Sequence, residues 1–203
     1  MLADEKLVPI CIIFLLSIVG IFGNTRVALA AWSLRRKSTC HWLIFARAIL
    51  DIVHQTGHFV TVFQIFSGMD TMVRKTCFII EFLPFSAVIG TSVMTLAIGI
   101  DRFLGFYMPL LYRKLKVTVY ISTVYLLTTV FAVMFMLLFL FTIENMNEET
   151  LCMVGTVVSK AYMFHFFYVM TAIYVLTMLQ YVSIWVTSFK RRKELPGYML
   201  RIP

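Results

Sequence analysis

Charge is scarce in this sequence of 203 residues: Asp, Glu, Lys and Arg together make up 14% of it. A soluble globular domain carries about 25% charged and about 45–50% apolar residues. Here 61% are apolar. No single water-soluble core of this size needs that much apolar surface, so a soluble enzyme and a DNA-binding domain are both excluded. Acids are especially few, 10 against 18 Lys and Arg, giving a net charge of +8. Such a balance often marks a nucleic-acid binder. The basic residues, however, sit in three short clusters between apolar runs, a pattern of membrane topology, and no nucleic-acid partner is expected. The sequence also lacks a glycine-rich phosphate loop, an H-E-x-x-H or G-x-S-x-G motif, paired catalytic carboxylates and an N-x-S/T sequon. It has no repeat and no low-complexity segment. Nothing in it suggests an enzyme or an organic cofactor.

What remains is long apolar stretches. Leu7–Thr25, Ile52–Met69, Phe82–Ile100, Val117–Ile143 and Ala161–Phe189 contain no Asp, Glu, Lys or Arg and run from 18 to 29 residues. About 20 apolar residues span a hydrocarbon core about 30 Å thick. In lipid only helices and closed barrels satisfy their backbones, and these runs are too long and alternate too little for barrel strands. The fold class is therefore all-α: one transmembrane domain, with helices near residues 7–34, 40–67, 73–107, 117–143 and 156–189 and a cytoplasmic tail over 190–203. The first run follows an acidic start (Asp4, Glu5) and has no small-x-small cleavage pattern, so it reads as a span and not as a signal peptide. With the N-terminus outside, Arg35, Arg36, Lys37, Arg113, Lys114, Lys116 and Lys190–Lys193 all fall inside. Lys6, Arg74, Lys75 and Lys160 fall outside with most of the loop acids. This satisfies the positive-inside rule and implies an integral, plasma-membrane protein with an extracellular N-terminus. The inner basic clusters also suit membrane lipid.

Polar groups inside such runs need a reason, since a charge at mid-membrane costs about 2.5–3.5 kcal/mol. Asn24 in helix 1 and Asp51 in helix 2 are expected to face the bundle and hydrogen-bond each other. Plain interhelical bonding and an ion or switch role stay open. Arg47, four residues before Asp51, can pair with it on the same helix face. His54 and His58 lie one turn apart beyond Asp51, but no third ligand completes a zinc set, and no metal is expected. Of the four cysteines, Cys40 is on the reducing side and Cys11 is within helix 1. Cys77 and Cys152 share the oxidising side, where they either bridge or stay as two thiols; the bridge is the expectation.

At the inner end of helix 3 the chain reads I-G-I-D-R-F-L-G-F-Y-M-P-L-L-Y-R-K. Asp101 and Arg102 are adjacent charges at the membrane edge. A carboxylate that holds an arginine until a docked protein takes it makes a two-state latch; an interfacial arginine that merely snorkels is the bland alternative.

The surroundings of this pair resemble a rhodopsin-like G-protein-coupled receptor. Asp101-Arg102-Phe103 resembles the D-R-Y motif, with Phe in place of Tyr. Cys77 lies 25 residues before Arg102, as the family's extracellular cysteine does, and Cys152 matches the second-loop cysteine. Pro109 and Tyr112 match the second cytoplasmic loop, Gly23-Asn24 the helix 1 motif and Asp51 the helix 2 aspartate. The segments L-D-I-V-H-Q-T-G-H-F-V, C-F-I-I-E-F-L-P-F and I-G-I-D-R-F narrow the resemblance to the nematode serpentine receptors of class sx (Srsx), which are taken to be chemosensory. It extends over about residues 8–193.

That resemblance implies a heterotrimeric G protein as partner, with Asp101, Arg102, Phe103, Pro109, Tyr112 and Tyr181 in coupling and activation. It implies a sodium site near Asp51, with Asn24 and Thr91. It implies a small-molecule or peptide ligand, for which Glu81, Phe85 and Val88 on helix 3 and His165 and Tyr168 on helix 5 are candidates. Pro84 stands where amine receptors carry an aspartate, which argues against an amine held there. Helix 4 lacks the usual Trp and helix 5 the usual Pro. The helix 6 C-W-x-P and helix 7 N-P-x-x-Y motifs do not occur, so the expectation is five helices of a seven-helix fold. This would be a fragment, a gene-model or splice variant, or a five-helix remnant that does not signal alone. A competing reading is a small transporter or channel using Asp51, His54 and His58 as a polar path; it leaves the spacing of Cys77, Arg102, Pro109 and Tyr112 unexplained.

Overall fold

A computed structural model describes residues 2–35, 38–69, 71–143, 145–153, 158 and 160–194. Among them are five long helices: α1 Leu2–Leu34, α2 Thr39–Phe66, α3 Arg74–Tyr107, α5 Val117–Thr142 and α6 Lys160–Glu194. A six-residue helix, α4 Pro109–Lys114, follows α3. The shortest long helix, α5, has 26 residues and is about 39 Å long at 1.5 Å per residue, enough to cross a bilayer. Four of the five, α1, α3, α5 and α6, are also apolar enough to do so by composition. α2 has the length but carries Arg47, Asp51, His54, Gln55, His58 and Gln64.

The helices are arranged around α3. α1 packs on α2, α2 on α3, and α3 on α5 and α6. In the most apolar stretch of each helix, 61% of α3 is buried, against 11% of α1 and 17% of α5 and of α6. The outer helices direct Phe22, Leu126, Phe141, Phe164 and Met178 away from the bundle, an apolar surface suited to hydrocarbon. The chain is thus a helical transmembrane bundle, as its composition implies.

Two glycines let helices approach α3 closely. A Cβ at Gly57 on α2 would lie 2.6 Å from Glu81 Oε2 and 2.8 Å from Pro84 Cβ. One at Gly99 would overlap the Gln180 side chain of α6. One core cluster joins Phe85 and Ile89 to Met136 and Phe139 of α5 and Phe166 and Met170 of α6. Phe85 stacks on Phe139 at 4.8 Å and meets Phe166 edge-on at 5.4 Å. A second, nearer the Asp101 end, holds Cys40, Leu43, Met94, Ala97 and Ile98.

Several boundaries differ from expectation. α1 begins at Leu2, five residues earlier than the apolar run. α6 continues through Lys190–Lys193 to Glu194, so this cluster ends a helix and does not begin the tail. Lys and Arg are good helix formers, and cations near a C-terminus complement the helix dipole. Residues 195–203 and the expected helix start at 156–157 lie outside the described residues. α4 was not foreseen; it opens on Pro109 in its first turn, a position where proline's fixed φ helps and its missing N–H costs nothing. A two-residue antiparallel pairing, β1 Met72–Val73 with β2 Glu149–Thr150, puts Met72 opposite Thr150 and Val73 opposite Glu149.

Candidate functional site

At one end of the bundle Cys77, in the first turns of α3, is bridged to Cys152. The expected disulfide is present, and both residues are fully buried. The loop it carries is held in three further ways. The β1–β2 pairing is extended by bonds from Arg74 N–H to the Glu148 carbonyl and from Lys75 N–H to the Met146 carbonyl, 2.9 and 3.0 Å. The Arg74 guanidinium pairs with Glu148 at 2.9 Å. From α2, the Thr61 hydroxyl donates to the Cys152 carbonyl at 2.7 Å, and Cys152 N–H donates to Gln64 Oε1 at 2.8 Å. Thr61 and Gln64 lie three apart on one face of α2, and Gln64 is fully buried. The sequence reading missed both. A glutamine inside a spanning helix was the available signal.

Beneath this loop a cavity of about 170 Å³ opens between α1, α2 and α3. His54, His58 and Glu81 line it, with Met153 from the bridged loop. The two imidazoles meet edge to face, ring centres 4.9 Å apart. Glu81 is 3% exposed, and among the described residues neither of its carboxylate oxygens has a hydrogen-bond partner. Asp51 does not border this space. Among the described residues no three His, Cys, Asp or Glu side chains are placed to hold a metal.

The five expected ligand-pocket residues do not share one site. Glu81 faces the α1–α2 side. Phe85 is core, between Phe139 and Phe166, and Val88 packs against that core. His165 lines a different cavity, of about 430 Å³, with Phe135, Phe139 and Phe166. Tyr168 is 74% exposed, pointing away from the bundle. Glu81 and Phe85 lie one turn apart along α3 and meet different neighbours, Gly57 of α2 for Glu81 and the α5–α6 core for Phe85.

In the middle of α2, Arg47 Nε lies 3.7 Å from Asp51 Oδ2, the expected same-face pair. The expected Asn24–Asp51 bond is not made among the described residues, where both side chains are only part-buried. Thr91 is buried, and its hydroxyl has no hydrogen-bond partner.

At the opposite end Asp101 is 2% exposed. Its partner is Tyr112 of α4, whose hydroxyl donates to Asp101 Oδ1 at 2.9 Å. Burial pushes the Tyr112 hydroxyl above its ordinary pKa, with the Thr39 side chain acting the other way, so it stays a neutral donor. Arg102 is exposed and forms no ion pair with Asp101; among the described residues the ion pairs are Arg47–Asp51 and Arg74–Glu148. The direct contact that Asp101 makes is thus with Tyr112 and not with the adjacent Arg102. Successive helical residues point about 100° apart, so Asp101 faces inward while Arg102 faces out. Pro109 starts α4 and so sets Tyr112 one turn later beneath α3. Phe103 rests on Tyr107, ring centres 4.5 Å apart.

Tyr181, expected near Arg102, is 46% exposed and makes no side-chain hydrogen bond among the described residues. Tyr107 supplies the α3–α6 link instead. Its hydroxyl bonds with Ser183 Oγ at 2.8 Å and Thr187 Oγ1 at 2.7 Å. Higher up, Ser92 Oγ and Tyr174 OH lie 3.1 Å apart across the same pair of helices.

Comparison with known proteins agrees with this arrangement. Residues 17–196 match the family described as serpentine type 7TM GPCR chemoreceptor Srsx. A D(2)-like dopamine receptor of Takifugu rubripes is 30% identical over 189 residues, 89% of this chain. The chain spans 40% of that relative's length.

Proposed function

Since the chain belongs to the Srsx family of serpentine seven-helix G-protein-coupled chemoreceptors, we propose that it carries the signal of an extracellular chemical ligand to a cytoplasmic G protein. The disulfide end is then extracellular, and the Asp101 end meets the cytosol, in line with the basic clusters. The observation that carries the reading is the split at residues 101 and 102: a buried aspartate tied to Tyr112 and an exposed arginine beside it. The Asp101–Tyr112 bond fixes the short α4 against the end of α3, and Arg102 is left at the surface where a docked protein can accept its donors. A cleft of about 300 Å³ next to it, lined by Arg35, Arg113, Tyr112 and Tyr120, adds positive charge to that face.

The chain acts here as part of a seven-helix receptor, with a plasma-membrane location, a small-molecule or peptide ligand and a sodium ion near Asp51 as further parts of the reading. The test is a G-protein reporter assay on the full-length gene product. Arg102→Ala is expected to abolish coupling at unchanged surface expression; full signalling by that variant overturns the role given to Arg102.

A further inference from the structure

The cavity between α1, α2 and α3 points to a class of ligand, an inference that rests on the receptor reading above. Glu81 is buried to 3% exposure and, among the described residues, accepts no hydrogen bond at either oxygen. A carboxylate taken from water without donors is strongly disfavoured. The absent Cβ of Gly57 makes the room in which it sits. The open space that it borders measures about 170 Å³, close to the roughly 150 Å³ at which an engineered protein cavity takes benzene. The wall is mostly apolar with a few acceptors, and among the described residues no Lys or Arg lines it. Besides the carboxylate there are His54, His58 and Thr61, and His54 Nδ1 is itself buried without a partner. A neutral imidazole offers one acceptor nitrogen. Ile10, Ile13 and Val62 form an apolar remainder.

We propose that this cavity binds a primary ammonium ion carrying a small apolar body, about the size of a six-membered ring. An ammonium group has three N–H donors and no acceptor. Glu81 takes the charge, His54 and His58 take the other donors, and the isoleucines and valine cover the hydrocarbon. The site lies one turn before Pro84, the position at which the sequence argues against an amine. Met153 places the bridged loop at its rim, so ligand and loop are in contact.

The experiment uses the full-length gene product in nanodiscs at neutral pH, with cyclohexylamine as probe, cyclohexanol as its uncharged isostere and zinc chloride as the metal control. Direct calorimetric binding and thermal unfolding are measured. The amine is expected to bind and raise the unfolding temperature, and the alcohol is not. Glu81→Gln, which removes a buried charge, is expected to unfold no earlier than wild type and to bind the amine about tenfold or more weakly, the scale of one charge-assisted hydrogen bond. His58→Phe is the second variant should Glu81→Gln fold poorly, with a smaller loss expected. The proposal is overturned if the alcohol binds as well as the amine, if zinc binds in its place, if neither probe binds, or if both variants bind like wild type. Arg102→Ala is run in parallel: it is expected to keep amine binding while losing coupling, so failure of the ligand site and failure of the signalling role give different results.

Discussion

The two ends of the bundle are held by different means. At the disulfide end the loop before α6 is bound redundantly, by a covalent bridge, a strand pairing, an ion pair and two hydrogen bonds from α2 to Cys152. At the Asp101 end the α3–α4 junction rests on one side-chain bond between Asp101 and Tyr112, beside an arginine that faces out. A rigid mouth keeps a ligand cavity in form. A short helix pinned to α3 by one side-chain bond can rearrange when a protein docks.

This contrast can be broken in stages. The largest effect is expected from Cys77→Ser. Opening a bridge that closes a 75-residue separation removes roughly 4 kcal/mol in the chain-entropy account. Unfolding temperature and surface delivery should both fall; normal delivery and ligand response would show the remaining contacts to be sufficient. Next comes Tyr112→Phe, which leaves the buried Asp101 one donor short, at a cost of about 1–3 kcal/mol. Here basal G-protein coupling should change along with thermal stability, and unchanged coupling would deny the aspartate–tyrosine bond a signalling role. Thr61→Val is expected to cost about 1 kcal/mol, seen as a small drop in unfolding temperature with coupling intact. Smallest is Glu148→Gln, whose partly exposed ion pair with Arg74 is worth about 0–1 kcal/mol. A loss larger than that of Thr61→Val would mean that the disulfide end is not redundant after all.

The sequence made the helices legible because lipid imposes a length and an apolarity that soluble folds do not. The cysteine bridge was legible because topology leaves Cys77 and Cys152 on one side. What stayed hidden was orientation around each helix axis. Adjacent residues such as Asp101 and Arg102 look like a pair in print, yet a turn of about 100° sends them to different environments. Orientation also decides which tyrosine links the two helices: Tyr107 of α3 bonds to Ser183 and Thr187 of α6, while Tyr181, on α6 itself, is half-exposed. The strand pairing was hidden too: two residues are too few to show alternation. Gln64 was readable as an oddity in a spanning helix, but its partner is a backbone amide 88 positions away, which no local pattern encodes.

The polar character of α2 also bears on how the protein is made. The other four long helices are apolar enough to enter a bilayer on their own composition; α2, with an ion pair, three histidines and two glutamines, is not. Glycines bring neighbours close to it, Gly20 of α1 against Gln55, and Gly57 of α2 itself against Glu81 and Pro84 of α3. Polar residues raise the cost of inserting α2 as a single span, and its packing on α1 and α3 offsets that cost. Changes at the α1–α2 seam, such as a larger residue at Gly20, would then act before any ligand is met, and would be read by quality control in the endoplasmic reticulum as failed insertion.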